Sequence, residues 1–462
     1  MNKKVFAGVL TAVMAVSSSF MSYADSVGVA PGQNSPEEIT AISGVVTAGG
    51  TDSQGGAVTA GEGSNQGSTV TAGEASSPSA AVTAGGNASS GGTVTVGGSQ
   101  NAGPMASQTS SGVVGAGLAG SSMGSGGPGV SGISQVSRGV DGFAGTVQNP
   151  IVTVTGTYTY DQMSQDIQEL SSRYSGKMQV NTIGTTHDGR SLYEIIVGNP
   201  SAEKHVLIHA GIHAREYMTP LLVMKQMEYG LYFYNSGSFE GRSLSDMFNQ
   251  VAVHFVPMVN PDGISISQKG INGIRSGALQ ESVRQCYNND VSSGRTSMAF
   301  ERYLQYWKAN GRGVDLNQNF PANWEQVTSA SFPSYATYKG QGPVSEPESQ
   351  ALYNLMDSRS WSAAISYHSM GNIIYWDYTG NTVYDQSLDL ANAISARTGY
   401  RLAGSSGHGG FKDWLQIKEG PVPSLTLEVG SVSCPMPVTE FTDVWNRNKD
   451  VWAALMKWAM EH

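Results

Sequence analysis

HVLIHAGIHARE, residues 205–216, is the stretch from which the fold is read. Val206-Leu207-Ile208 is a short apolar run of the length of a buried strand, and it empties into Gly211, His213 and Glu216. A histidine and a glutamate three residues apart, just past a strand end, can aim an imidazole nitrogen and a carboxylate oxygen at one point. A tetrahedral metal ion such as Zn2+ needs that from its first two protein ligands. His-x-x-Glu also arises by chance, so its weight rests on a third ligand, a general base and a substrate pocket elsewhere in the chain.

Around this stretch the pattern alternates between strand and helix. Met178 to Ile183, Ser191 to Val197, Val206 to His209 and Val251 to Met258 read as strands, and Tyr158 to Tyr174 and Tyr217 to Tyr234 as helices. Farther on, Glu346 to Ser358, Tyr384 to Thr398 and Asp443 to Met460 are expected helices, with strands at Ala363 to Tyr367 and Ser424 to Val429. Such alternation predicts an α/β domain: a mixed, mostly parallel sheet with helices on both faces. In that architecture the site lies beyond the carboxyl ends of the strands. His213, His368 and Glu428 each fall at or just past such an end.

The N-terminal third has a different composition. Asn2-Lys3-Lys4, the apolar run Val5 to Val16 and Ser22-Tyr23-Ala24 form an export signal over residues 1–24, with the mature chain expected to begin at Asp25. The apolar run is too short for a membrane span, and no cysteine follows it to carry a lipid. Residues 25–150 hold one aromatic, Phe143, and one basic residue, Arg138. Val46-Thr47-Ala48-Gly49 recurs every twelve residues from there to Val82-Thr83-Ala84-Gly85, with a weaker copy at Val94-Thr95-Val96-Gly97. Units with so few large apolar groups suit a spacer better than a β-solenoid. The catalytic domain is expected over 151–462. A formal charge of −10 disfavours nucleic acid and offers no polybasic membrane patch. The product is expected to be a secreted or wall-associated soluble monomer. Cys286 and Cys434 allow at most one disulfide, with free buried thiols the simpler expectation.

His368, in Ser366-Tyr367-His368-Ser369, is the best third ligand among the histidines. His209 lies inside a strand as a core histidine, and His408 flanks a glycine pair as a pocket residue. Glu428 is a carboxylate on the otherwise apolar strand Leu425-Thr426-Leu427. Burying an unpaired charge is costly, which favours a general base over a structural role. With three protein ligands on Zn2+, a carboxylate beside the open position can move a proton.

HARE, Asn260 to Gly263 (NPDG), Gly313 to Phe320 (GVDLNQNF), the SYHS segment and LTLEVG occur in the order seen in zinc metallocarboxypeptidases. The chain resembles that family from about Tyr158 to its C-terminus. The resemblance implies His213, Glu216 and His368 as Zn2+ ligands, Glu428 as the base, and substrate-binding roles for Arg215 and Asn317. It implies that Asp315 orients a ligand histidine. The cation for the tetrahedral oxyanion matches Lys308, after Trp307, with Arg312 as its rival.

Two departures bear on specificity. Family members have Asn-Arg where this chain has Asn317-Gln318, and that arginine grips a terminal carboxylate. A charge-assisted hydrogen bond is worth about 1.5–3 kcal/mol, so Gln318 should weaken recognition of a free α-carboxylate ten- to a hundredfold or so. In family members the residue before this Asp-Trp pair lines the pocket for the group beyond the scissile bond, and Lys412 at that position should suit an acidic group. Ser405 stands where a tyrosine is usual, which leaves a proton donor unassigned. With Phe320 to Glu325 (FPANWE) and GGFKDW, these departures resemble the bacterial γ-D-glutamyl-meso-diaminopimelate peptidases, whose substrate is the peptidoglycan stem peptide. The competing readings are a carboxypeptidase for α-linked peptides ending in acidic residues and a non-catalytic surface-binding protein.

Overall fold

The computed structural model describes residues 145–405 and 407–462. The expected export signal, the repeats and all but the end of the expected spacer lie outside the described residues. Within them, helices α1 (Tyr160–Arg173), α2 (Met218–Tyr232), α3 (Leu244–Gln250), α4 (Pro261–Lys269), α5 (Gly277–Ser292) and α6 (Phe300–Gln305) precede α7 (Pro347–Asp357), α8 (Tyr384–Thr398), α9 (Phe411–Ile417), α10 (Phe441–Asn448) and α11 (Val451–Glu461). The strands of the main sheet are β1 (Met178–Thr185), β2 (Ser191–Val197), β3 (Lys204–Ala210), β6 (Val251–Val256), β7 (Ala363–His368), β8 (Ile373–Asp377), β9 (Arg401–Gly404) and β10 (Ser424–Glu428). A separate hairpin pairs β4 (Ser238–Phe239) with β5 (Arg242–Ser243).

The eight strands lie in the order β1-β2-β6-β3-β7-β10-β8-β9. β6, β3, β7 and β10 are mutually parallel at the centre, and β1, β2 and β8 add antiparallel pairings. The central strands are continuous apolar runs because both faces are covered. Alternate residues of β3 show it: Val206, Ile208 and Ala210 join a core with α1, α2 and α11, while Leu207 joins a second core with α7 and α9. The expected α/β sandwich is therefore the observed one.

Helix starts follow their capping chemistry. Thr159 caps α1 by accepting from Gln162 N, and Asn260 caps α4 by accepting from Gly263 N, with Pro261 in the first turn. Two departures from the sequence reading stand out. The closing helix expected over Asp443 to Met460 is two helices, α10 and α11. Its break has a polar cause: buried Asn448 donates to Tyr400 Oη, and Asp450 pairs with Arg397 on α8. These bonds hold Asp450 at φ −119° and ψ 8°, outside helical geometry. Strands β4, β5, β8 and β9 and helices α3, α4, α5, α6 and α9 carry no clear sequence signal, being short or lacking a clean apolar period.

Candidate metal centre and active site

The register of three neighbouring parallel strands builds the site. Glu428, the last residue of β10, lies directly beside His368, the last residue of β7. Tyr367 in turn lies beside Ala210, at the end of β3, three residues before His213. His213 and Glu216 occupy the turn between β3 and α2, and Glu216 O accepts from Thr219 N to start the helix.

Three side chains converge there. His213 Nδ1 is 2.9 Å from Glu216 Oε1, His368 Nδ1 is 3.1 Å from Glu216 Oε2, and the two Nδ1 atoms are 3.1 Å apart. All three residues are buried. A tetrahedral Zn2+ with bonds of about 2.0–2.2 Å has ligand–ligand edges of about 3.3–3.6 Å. The triangle is a few tenths of an ångström tighter than that, and two imidazoles with one carboxylate are a zinc donor set. The residues fit the ion. Ser369 N donates to Glu216 Oε2 (3.2 Å), and His213 Nε2 lies 3.2 Å from Asp315 Oδ1, an ion-pair distance without ideal hydrogen-bond direction.

Charge around the triangle is arranged by burial and pairing. Burial opposes ionisation of Glu216 and Asp315, but adjacent His213, with His368 for the first and Lys308 for the second, holds both well below the usual carboxylate range. Lys308 Nζ is 2.9 Å from Asp315 Oδ2, so one carboxylate touches both a candidate ligand and the candidate oxyanion cation. Glu428 behaves oppositely. Burial pushes its carboxyl up to about 7, with Glu216 adding to the rise and His368, Lys308 and Arg215 opposing it. Arg312 is exposed and bears on His187, whereas Lys308 and Arg215 bear on Glu428.

The two loops that carry the expected specificity residues are bonded to each other. Asn317 Oδ1 accepts from Phe411 N (3.0 Å), Phe320 N donates to Gly409 O (3.0 Å), and Gly409 N donates to Ala322 O (2.8 Å). Gly409 has φ +79°, and a Cβ there would lie 2.7 Å from Gln318 O, so only glycine allows this approach. Gln318 Oε1 is buried without a partner. His408 Nδ1 meets Tyr378 Oη at 2.8 Å. Lys412 differs from expectation in one respect: its ammonium is not free. It is 3% exposed, lies 2.5 Å from Asp413 Oδ1 and donates to Asp377 O (2.9 Å). The adjacent acid neutralises the charge that a lone lysine would present.

Several contributors carried no sequence signal. Tyr378 also accepts from Asn323 Nδ2 (2.8 Å), and Lys412 Nζ stands 5.6 Å from its ring. Cys434 Sγ lies 3.9 Å from Arg215 O, and burial, then the charge of Glu216, pushes its thiol up to about 12. Both cysteines are free. In the sequence Asn260 stands out only as part of the NPDG motif. Its Nδ2 donates to Ile212 O (3.1 Å) and Ala309 O (3.0 Å), which ties the His213 turn to the Lys308 loop. Two open surface hollows of about 410 and 340 Å3 share Asn249, Gln250 and Met460, and no candidate residue lines either.

Known proteins resemble this chain in sequence and fold. A family model described as zinc carboxypeptidase matches residues 163–449. Gamma-D-glutamyl-L-diamino acid endopeptidase 1 of Lysinibacillus sphaericus is 30% identical over 301 residues, 64% of this chain and 72% of that protein. Carboxypeptidase B of Astacus astacus is 24% identical over 296 residues, 60% of this chain and 86% of that protein. The crystal structure of thrombin activatable fibrinolysis inhibitor shares the fold at TM-score 0.50 and 19% identity, over 66% of this chain and 74% of that one. With a match that spans well over half of its length, the chain belongs to the zinc carboxypeptidase family and is a zinc-dependent peptidase.

Proposed function

We propose that this is an exported peptidase that cleaves the amide bond between γ-D-Glu and meso-diaminopimelate in peptidoglycan stem peptides. His213, Glu216 and His368 hold its Zn2+. When bound, the ion polarises the scissile carbonyl and lowers the pKa of a water molecule to about 7. Glu428 takes the proton from the attacking water and passes it to the departing amine. Lys308 stabilises the developing oxyanion, held in place by Asp315, which also steadies the His213 ring. Arg215 and Asn317 bind substrate beside them.

The observation that carries the substrate reading is Gln318. A neutral amide with an unpartnered oxygen stands where a carboxylate-gripping arginine is expected, against the Gly409 loop. Such a wall tolerates a residue whose α-carboxyl is amide-linked or whose acid lies on the side chain. His408, Tyr378 and the Lys412–Asp413 pair line the adjoining loop. The relative from Lysinibacillus sphaericus, named as a γ-D-glutamyl-L-diamino acid endopeptidase, supports the same bond class. The export signal over residues 1–24 and the spacer over 25–150 suit a substrate in the cell wall.

Mass-resolved digestion of isolated stem peptides tests the proposal. Fragments cut after γ-D-Glu are expected, and chelation should abolish them. Intact stem peptides alongside efficient removal of Glu or Asp from α-linked peptides would instead support an acidic-residue carboxypeptidase. No hydrolysis of either by zinc-loaded protein would support a non-catalytic binding role.

A further inference from the structure

A second group of metal-ligating side chains shares no residue with the centre described above. His187, in the turn between β1 and β2, has Nε2 3.0 Å from Glu346 Oε2. Glu348 completes the group, and donor atoms of all three lie within 4.8 Å of one another. Glu346 is the N-cap residue of α7 and Glu348 stands in its first turn. Both carboxylates are buried, at 6% and 0% exposure, whereas the His187 side chain is 25% exposed and leaves a path from solvent.

The cluster is short of positive charge. Asn310 Nδ2 donates to Glu346 Oε2 (2.9 Å) and Glu348 Oε2 (3.1 Å), and Ser345 Oγ donates to Glu346 Oε1 (3.0 Å). Glu348 Oε1 is buried with no partner. Among the described residues, no lysine or arginine lies within ion-pair distance of either carboxylate, and His187 alone pairs with Glu346. Two buried carboxylates with an unanswered oxygen are costly unless a proton or a metal cation joins them. One imidazole and two carboxylates are a donor set for a divalent transition metal.

We propose that His187, Glu346 and Glu348 bind a second divalent metal ion, of the Zn2+ or Mn2+ type, which staples the β1–β2 turn to the start of α7. The staple reaches the active site through Asn310. Its Oδ1 accepts from Arg312 N (3.0 Å) and Val314 N (3.1 Å), so the loop carrying Lys308 and Asp315 hangs from the same carboxylates. The ion steadies that loop and takes no part in the chemistry.

The test is metal counting on the full chain, stripped by chelation, dialysed and reloaded separately with Zn2+ and Mn2+. Wild type should take up one ion per chain more than His187→Ala, with at least one of the two metals, and one Zn2+ more than His213→Ala. The additional ion should raise the thermal midpoint of wild type by a few degrees and leave that of His187→Ala unmoved. Equal stoichiometry in wild type and His187→Ala with both metals overturns the proposal, even if Glu346→Gln or Glu348→Gln fails to fold. A loss confined to His187→Ala, with His213→Ala binding as wild type does, would uphold this site while overturning the ligand set of the catalytic centre.

Discussion

The metal triangle and the proposed specificity wall are built from different kinds of backbone. His368 and Glu428 are terminal residues of parallel strands paired in register, and His213 follows a third by a short turn. Their positions are fixed by the sheet, whose central strands are buried on both faces. Gln318 and Lys412 instead belong to a short 3-10 turn and a two-turn helix, held together by bonds between loops 317–322 and 409–411. Chemistry placed on strand ends can stay constant while a wall made of loops is rebuilt for another substrate.

Substitutions on either side should separate the two regions. Glu428→Gln removes the base without touching a candidate metal ligand. Turnover should fall about 10²- to 10⁴-fold with zinc content unchanged. Retained turnover, measured alongside metal content, would break the assignment of the base. Gln318→Arg restores a cation to the wall. It should raise kcat/KM for peptides with a free α-carboxylate beyond the scissile bond about ten- to a hundredfold. The benefit should be far smaller for a stem peptide whose diaminopimelate α-carboxyl is amide-linked, and an equal gain on both would show that Gln318 does not set specificity.

The smallest expected effect lies between the regions. A Cβ at Gly263 would stand 2.3 Å from Ala309 O, beside Lys308. Gly263→Ala must push that loop away, at a cost of about 1–3 kcal/mol. In a domain of this size that is a fall of roughly a few degrees in Tm. Thermal denaturation measures it, and an unchanged midpoint would mean that the Asn260 brace is slack.

The comparison also explains what the sequence disclosed. That His213, Glu216, His368 and Glu428 lie together at strand ends is legible because an apolar run marks a buried strand, and parallel strands bring their carboxyl ends together. The ion pair of Lys412 with its neighbour Asp413 has no such signature, since it depends on rotamers inside a folded loop. The resemblance implies that Lys412 suits an acidic group, and the fold places Asp413 against its ammonium. The break at Asp450 was hidden for a similar reason: its cause is Arg397, on another helix. His187, Glu346 and Glu348 come from distant segments and meet only through the β1–β2 turn and the start of α7.

The central claim is that an ordinary zinc peptidase centre works behind a wall that does not ask for a free α-carboxylate. It is tested most directly by kcat/KM of the zinc-loaded enzyme on L-Ala-γ-D-Glu-diaminopimelate-D-Ala, whose diaminopimelate α-carboxyl is amide-linked, against peptides of equal length ending in Phe, Lys or Glu. Preference for cleavage after γ-D-Glu is the predicted result, and faster release of Phe, Lys or Glu would contradict it.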